Sequence, residues 1–96
     1  MEKMKNILII GCGLLGSSLL RHISKKKIAK KIFIYEKSKS NLAKIKRLKL
    51  PGTIVKSLKE GVSNSDLIIF CTPMSEYKEI ILKINSYLSS KTLITD

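Results

Sequence analysis

The sequence of 96 residues predicts a doubly wound α/β fold, in which helices cover both faces of a parallel sheet. Short Ile-rich runs alternate with longer segments whose apolar residues recur every three or four positions. The first pattern is typical of strands buried on both faces, and the second is typical of amphipathic helices. Right-handed crossovers then give the strand order 3-2-1-4-5, with the topological switch point between the first and fourth strands.

The first half of the chain supplies two strands, each followed by a helix. The run Asn6–Ile10 is almost entirely apolar and predicts a buried strand. A helix is predicted over 14–26, with one apolar stripe and with lysines at its end, where cations suit the helix dipole. Lys31–Tyr35 predicts the second strand, and Ser40–Leu48 predicts a helix that ends before Pro51.

The second half of the chain continues the same alternation. Thr53–Val55 predicts a short third strand, and Leu58–Ser63 predicts a short helical turn or loop. Asp66–Cys71 predicts the fourth strand. A helix is predicted from Ser75 to about residue 88, with the Ser75 side chain as its cap. Leu93–Thr95 opens a fifth strand, after which we expect the sheet to be truncated.

The charge of the chain is strongly positive, at +12, which raises the possibility of a nucleic-acid partner. Of the 19 basic residues, however, 17 are lysines and only two are arginines. Nucleic-acid surfaces use arginine heavily, because its planar fork binds phosphates and guanines in bidentate fashion. We therefore interpret the charge mainly as a solvated surface and expect no nucleic-acid partner.

The cysteines and the first residues of the chain indicate the cellular compartment in which we expect the protein. Cys12 and Cys71 cannot form a disulfide framework, so a reducing, cytoplasmic environment is expected. The basic start and the residues up to Cys12 are similar to a lipoprotein signal, but the apolar stretch Ile7–Ile10 is shorter than a signal core of roughly 7–15 residues. No stretch approaches the roughly 18 apolar residues of a spanning helix, so we expect no membrane partner.

A glycine-rich loop lies between the first strand and the first helix. It reads G-x-G-x-x-G and consists of Gly11, Cys12, Gly13, Leu14, Leu15 and Gly16. Gly11 is expected to make the tight turn, Gly13 to let a pyrophosphate approach the backbone, and Gly16 to let the helix pack closely on the strand. The backbone N–H groups near Leu14 and Leu15 would face the pyrophosphate at the positive end of the helix dipole. The loop in this context predicts a Rossmann-type site for NAD or NADP.

An acidic residue at the end of the second strand supports this prediction. Glu36 follows Gly16 by 20 residues, where a carboxylate accepts hydrogen bonds from the ribose hydroxyls of the cofactor. It would also repel a 2′-phosphate, which favours NAD. Lys37, Ser38 and Lys39 come next and could hold such a phosphate, so NADP stays possible.

The end of the fourth strand, Cys71-Thr72-Pro73, is expected to line the same crevice. Cys71 is interpreted as a small buried hydrophobic residue, because no acid–base partner is identifiable for it. His22 is the only histidine and lies on the first helix, far along from the crevice. Two thiols with one distant histidine make a poor metal site, so no metal is expected.

These segments together resemble the prephenate/arogenate dehydrogenases. Residues 9–19 (IIGCGLLGSSL) are similar to the glycine-loop opening of that family, and residues 65–75 (SDLIIFCTPMS) are similar to its fourth strand. The final LITD, residues 93–96, looks like the start of the family's D-x-x-S-x-K segment. The chain departs from the usual pattern at Ser17, where glycine is commoner, and at Glu36, where aspartate is more usual.

The resemblance implies an NAD(P)-dependent oxidative decarboxylation of prephenate or arogenate in tyrosine biosynthesis. Residues 1–96 would be an incomplete nucleotide-binding domain. The family's catalytic histidine, in an H-P-x-x-G stretch, and its helical dimerisation domain lie beyond this chain. His22 does not match that motif, so no catalytic residue is assigned here and no turnover is expected from these residues alone. The complete enzyme is expected to be a homodimer.

Three other interpretations remain open at this point. Other reductases with the same loop, such as pyrroline-5-carboxylate reductase, also turn at a proline after the fourth strand. A regulatory module that binds NAD without chemistry, of the kind found on potassium channels, is a second alternative. A nucleic-acid-binding domain that uses the positive charge is the third, and it would show the steep salt dependence of counterion release.

Overall fold

The computed structural model describes residues 5–11, 13–89 and 91–95. The described residues form five strands: Lys5–Ile10 (β1), Ala29–Tyr35 (β2), Thr53–Ile54 (β3), Leu67–Phe70 (β4) and Leu93–Thr95 (β5). They also form four α-helices: Leu14–Lys25 (α1), Lys39–Arg47 (α2), Leu58–Ser63 (α3) and Met74–Ile84 (α4). A 3-10 turn, Asn85–Tyr87, extends α4.

The strands form one parallel sheet in the order β3-β2-β1-β4-β5. This confirms the predicted doubly wound α/β class and its strand order. Because all five strands run in the same direction, the loops that leave their carboxyl ends meet along one edge of the sheet. The β1–α1, β2–α2 and β4–α4 loops therefore lie side by side at this edge, with the β1–α1 loop in the middle.

Two apolar clusters hold the helices on opposite faces of the sheet. Successive residues of β1 point to opposite faces, so Ile9 joins one cluster and Leu8 joins the other. On the first face, Leu20 of α1 and Ile45 of α2 pack over the sheet. On the second face, Val62 of α3 and the isoleucines of α4 do the same. This packing on both faces fixes where each helix begins at the carboxyl edge.

The predicted capping role of Ser75 is wrong. Helix α4 begins at Met74, its N-cap is Pro73, and no side chain caps it. The Pro73 carbonyl accepts hydrogen bonds from the N–H groups of Glu76, at 2.9 Å, and Tyr77, at 3.2 Å. Proline suits this position because its ring fixes φ and its missing N–H costs nothing before the first turn.

Several strand and helix boundaries also differ from the prediction by a few residues. Strand β2 begins at Ala29, two residues earlier than predicted, since Ala29 pairs with Lys5 of β1 and the exposed Lys31 pairs with Asn6, with an irregularity between the two pairs. The segment Leu58–Ser63, predicted as a short helical turn or loop, is a helix, and the Ser57 hydroxyl caps it by accepting from the Glu60 N–H at 3.1 Å. Within the described ranges, no helix has the length and hydropathy that crossing a membrane requires.

Candidate cofactor-binding site

The backbone leaves β1 through a turn that only glycine fits. Gly11 has φ of +81°, in the left-handed region, and its N–H donates to the Tyr35 carbonyl at 2.8 Å. A Cβ at this position would lie 2.6 Å from Thr72 Cγ2 and 3.3 Å from the Cys71 carbonyl group. The end of β1 therefore lies directly against the end of β4, and the positive φ of Gly11 fits the tight turn that was predicted for it.

Gly13 lies at the start of α1 beside open space. A Cβ added to Gly13 would meet no other atom within 4 Å. Its carbonyl accepts from both the backbone N–H and the hydroxyl of Ser17, each at 2.9 Å. Helix α1 has no side-chain cap and no acid in its first turn, so its positive end has no anionic group of its own there. This arrangement suits the close approach of a phosphate anion.

The end of β2 forms one wall of the site. Glu36 is half-buried, and its Oε2 accepts from the Ser38 N–H at 3.0 Å, which holds the carboxylate against its own loop. The Ser38 hydroxyl in turn accepts from the Asn41 N–H at 3.3 Å and caps α2. Ser38 thus has a structural role in addition to its place in the predicted site.

The end of β4 forms the opposite wall. The Cys71 N–H donates to the Ile10 carbonyl at 2.8 Å, and the Cys71 side chain packs against the apolar cluster under α1 and α2. Thr72 Oγ1 is buried and has no hydrogen-bond partner among the described residues. Because buried hydroxyls almost always have a partner, the Thr72 hydroxyl is a candidate to bind a ligand group.

An ion pair joins the two walls. Lys37, in the loop after β2, lies 3.2 Å from the Glu76 carboxylate in the first turn of α4. Hydrogen bonding and attraction by Glu76 raise the pKa of Lys37. Sequence reasoning missed Glu76 as a residue of this site. An acidic residue in the first turn of a helix that begins at the carboxyl edge is the signal that could have identified it.

The structure brings most of the predicted site residues around one cavity of about 260 Å³. Asn41 and Glu76, which sequence reasoning did not assign, also line it, beside these predicted residues: Gly11, Gly13, Glu36, Lys37, Ser38, Cys71, Thr72 and Pro73.

The remaining predicted residues of the glycine loop lie elsewhere or are not described. Cys12 lies outside the described residues. Leu14 and Leu15 start α1, but their side chains lie outside the description, and Gly16 is buried within the same helix.

The exposed His22 lies in the last turn of α1, toward the opposite edge of the sheet. No group of three or more His, Cys, Asp or Glu side chains that could hold a metal occurs in the described part of the chain.

Solved structures with this fold cover nearly the whole chain. Prephenate dehydrogenase from Aquifex aeolicus is 25% identical, with a TM-score of 0.82 over 97% of this chain and 34% of that one. The same protein with hydroxyphenyl propionate and NAD+ has a TM-score of 0.84 at 23% identity, over 99% of this chain and 34% of that one. Pyrroline carboxylate reductase from Plasmodium falciparum with NADP bound is 28% identical, with a TM-score of 0.79 over 97% of this chain and 34% of that one.

The chain spans about a third of the length of these solved proteins. A sequence model of one family, described as "NADP oxidoreductase coenzyme F420-dependent", matches residues 6–96. The match covers the glycine loop, Glu36 and the end of β4. The chain therefore belongs to this oxidoreductase family and forms an NAD(P)-binding domain of the Rossmann type.

Proposed function

We propose that this chain is the cofactor-binding part of a dehydrogenase of the prephenate/arogenate type and that it prefers NAD to NADP. The observation that carries the proposal is the Glu36 carboxylate at the end of β2, held by the Ser38 N–H on the same cavity that Gly13 opens. A carboxylate at this place accepts hydrogen bonds from ribose hydroxyls and repels a 2′-phosphate.

Different residues of the cavity would bind different parts of a dinucleotide. The uncapped start of α1 and the open space at Gly13 suit the pyrophosphate. Glu36 would hold the adenosine ribose, and the Thr72 hydroxyl, which has no hydrogen-bond partner within the described part of the chain, can bond to a polar group of the cofactor. When bound, the nicotinamide ring would accept a hydride from the substrate, while these residues bind and orient the cofactor.

The proposed substrate class, prephenate or arogenate, is inferred from the similarity of two sequence segments. The segments 65–75 and 93–96 resemble those of prephenate and arogenate dehydrogenases, and one solved prephenate dehydrogenase is 25% identical. In this proposal the substrate site and the catalytic residues come from outside residues 1–96. The complete enzyme would act as a homodimer in the cytoplasm, in tyrosine biosynthesis, without a nucleic-acid or membrane partner.

One observation favours a second candidate, an imine reductase of the pyrroline-5-carboxylate type. A reductase of that kind with NADP bound is 28% identical to this chain. The exposed Lys37 and Lys39 beside Glu36 are the residues that could attract a 2′-phosphate.

The preference between the two dinucleotides separates the candidates. Calorimetric titration of the chain with NAD+ and with NADP+ at equal ionic strength measures it directly. Tighter binding of NAD+ supports the first candidate. Tighter binding of NADP+ supports the second and contradicts the role given to Glu36. If neither dinucleotide binds at millimolar concentration, the proposal that these residues form the cofactor site is wrong.

A further inference from the structure

The ion pair between Lys37 and Glu76 crosses the cofactor cavity. Strands β2 and β4 lie on either side of β1, so a contact from the loop after β2 to the start of α4 spans the carboxyl end of β1. The Lys37 Nζ lies 3.2 Å from Glu76 Oε1, and both residues line the cavity that holds Glu36. Lys37 directly follows Glu36 in the sequence. The ion pair with Glu76 nevertheless holds the Lys37 ammonium at the opposite wall of the cavity.

Glu76 is the fixed member of this pair. Its N–H donates to the Pro73 carbonyl at 2.9 Å, and its neighbour Tyr77 packs on the buried ring of Phe70 with centroids 4.6 Å apart. These contacts anchor the first turn of α4 on β4. The Lys37 side chain is about two-thirds exposed, at 64%, against 34% for Glu76. A long exposed lysine can take several directions, so the position of its charge is set by its anchored partner.

We propose that Glu76 determines cofactor specificity by holding Lys37 away from the position that a 2′-phosphate would occupy next to Glu36. The inference rests on the proposed function, because it concerns the same dinucleotide site. A 2′-phosphate adds a charge of about −1.5 to −2 and needs a cation to offset the repulsion by Glu36. With Lys37 bound to Glu76, the cation that directly follows Glu36 in the sequence is already paired, so NAD is favoured.

The protonation state of Lys37 near neutral pH supports this role. Glu76 raises the pKa of Lys37 from its ordinary value of 10.5, with smaller contributions from Glu79 and Tyr35. The ammonium therefore stays charged near neutral pH, and the pair is not lost by titration of the lysine there. Glu79 pairs separately with Lys83, at 3.3 Å on the exposed side of the same helix.

The test compares Glu76→Gln with Glu79→Gln in the full chain. Both substitutions remove one carboxylate from α4 that pairs with a lysine, but only Glu76 pairs with Lys37. The measured quantity is the ratio of Kd values for NAD+ and NADP+ by calorimetry. We expect Glu76→Gln to move this ratio toward NADP+ by about fivefold, which corresponds to the upper range for one exposed ion pair, and Glu79→Gln to move it by less than about twofold.

A double variant tests whether the effect passes through Lys37. In a Lys37→Gln background, Glu76→Gln is expected to shift the ratio no more than Glu79→Gln does. An NMR titration of the Lys37 ammonium provides a readout that a purely structural role would not change, and its pKa should fall more in Glu76→Gln than in Glu79→Gln.

Three results would count against these proposals, and they are distinguishable. If Glu76→Gln shifts the ratio of Kd values for NAD+ and NADP+ no more than Glu79→Gln does, the proposed role of Glu76 in cofactor specificity is overturned. The proposed cofactor site is not affected by that result. If Glu76→Gln shifts the ratio of Kd values as strongly in the Lys37→Gln background as in the unmodified chain, Glu76 does not act through Lys37, and the inference fails. If the unmodified chain binds neither dinucleotide, the proposed function fails, and this inference fails with it.

Discussion

Gly11 and Thr72 lie in direct contact, so a Cβ added at Gly11 would stand 2.6 Å from Thr72 Cγ2. The contact joins the end of β1 to the end of β4, and both residues line the proposed cofactor cavity. Since Gly11 also has φ of +81°, it has both a conformational and a steric reason to be glycine. The first position of the glycine loop is therefore a structural requirement of the fold even before any cofactor binds.

Replacing Gly11 with alanine should destabilise the chain. The left-handed backbone and the contact with Thr72 together predict a loss of about 1–3 kcal/mol in the free energy of unfolding. Urea denaturation followed by circular dichroism measures this loss. Gly13→Ala is the matched control, because its Cβ meets no atom within 4 Å, and its cost should stay below about 1 kcal/mol. Equal losses in the two variants would contradict the role assigned to Gly11.

Gly13→Val should abolish NAD+ binding with little effect on stability. The added side chain enters the space in which the pyrophosphate is proposed to approach the backbone. The free energy of unfolding should fall by about 1 kcal/mol at most, since the space beside Gly13 is open and this N-cap residue makes no side-chain cap hydrogen bond that could be lost. Calorimetry with NAD+ checks the binding and urea denaturation checks the fold. Unchanged affinity for NAD+ would show that the loop does not hold the pyrophosphate.

Glu36→Ser should narrow the preference for NAD+ over NADP+. The substitution removes the carboxylate that is proposed to bind the ribose, and with it the repulsion of a 2′-phosphate. NAD+ affinity should fall about tenfold, as expected when a charge-assisted hydrogen bond is lost. Titrations with both dinucleotides measure the change. Glu60→Ser, on α3 away from the cavity lining, is the control and should leave both affinities unchanged. The assignment of Glu36 fails if its variant behaves like the control.

Ser38→Ala tests the structural role of Ser38 as the N-cap of α2. The Ser38 hydroxyl caps α2 by accepting from the Asn41 N–H, so its loss should destabilise the chain by about 1 kcal/mol. Thermal unfolding measures the effect. Ser40→Ala is the control, since the exposed Ser40 hydroxyl bonds to Ser38 and caps no helix. If both variants unfold at the same temperature as the unmodified chain, the cap contributes nothing measurable.

The sheet and most of the site were predictable because they depend on local sequence. Apolar periodicity identifies the strands and helices, and the handedness of βαβ crossovers then fixes the strand order. The positions of Gly11, Gly13 and Glu36 follow from strand ends, so their meeting at one edge needs only the topology. The same logic placed Cys71, Thr72 and Pro73 on the opposite wall.

The parts that the sequence could not predict depend on the packing of one loop against another. Serine is a good helix cap, which favours Ser75 in the sequence, but Pro73 fits the backbone before the first turn and takes the N-cap position. The pairing of Lys37 with Glu76 requires the distance between two loops and the reach of two long side chains. Neither quantity can be obtained from spacing along the chain.

Residues 1–96 are proposed above all to bind NAD in preference to NADP through Glu36. Calorimetric titration of the chain with both dinucleotides, in one buffer and at one ionic strength, tests it most directly. We expect weak binding, because much of the cleft lies outside these residues in this proposal, with a smaller Kd for NAD+ than for NADP+. Tighter binding of NADP+, or no binding of either dinucleotide, would contradict the account.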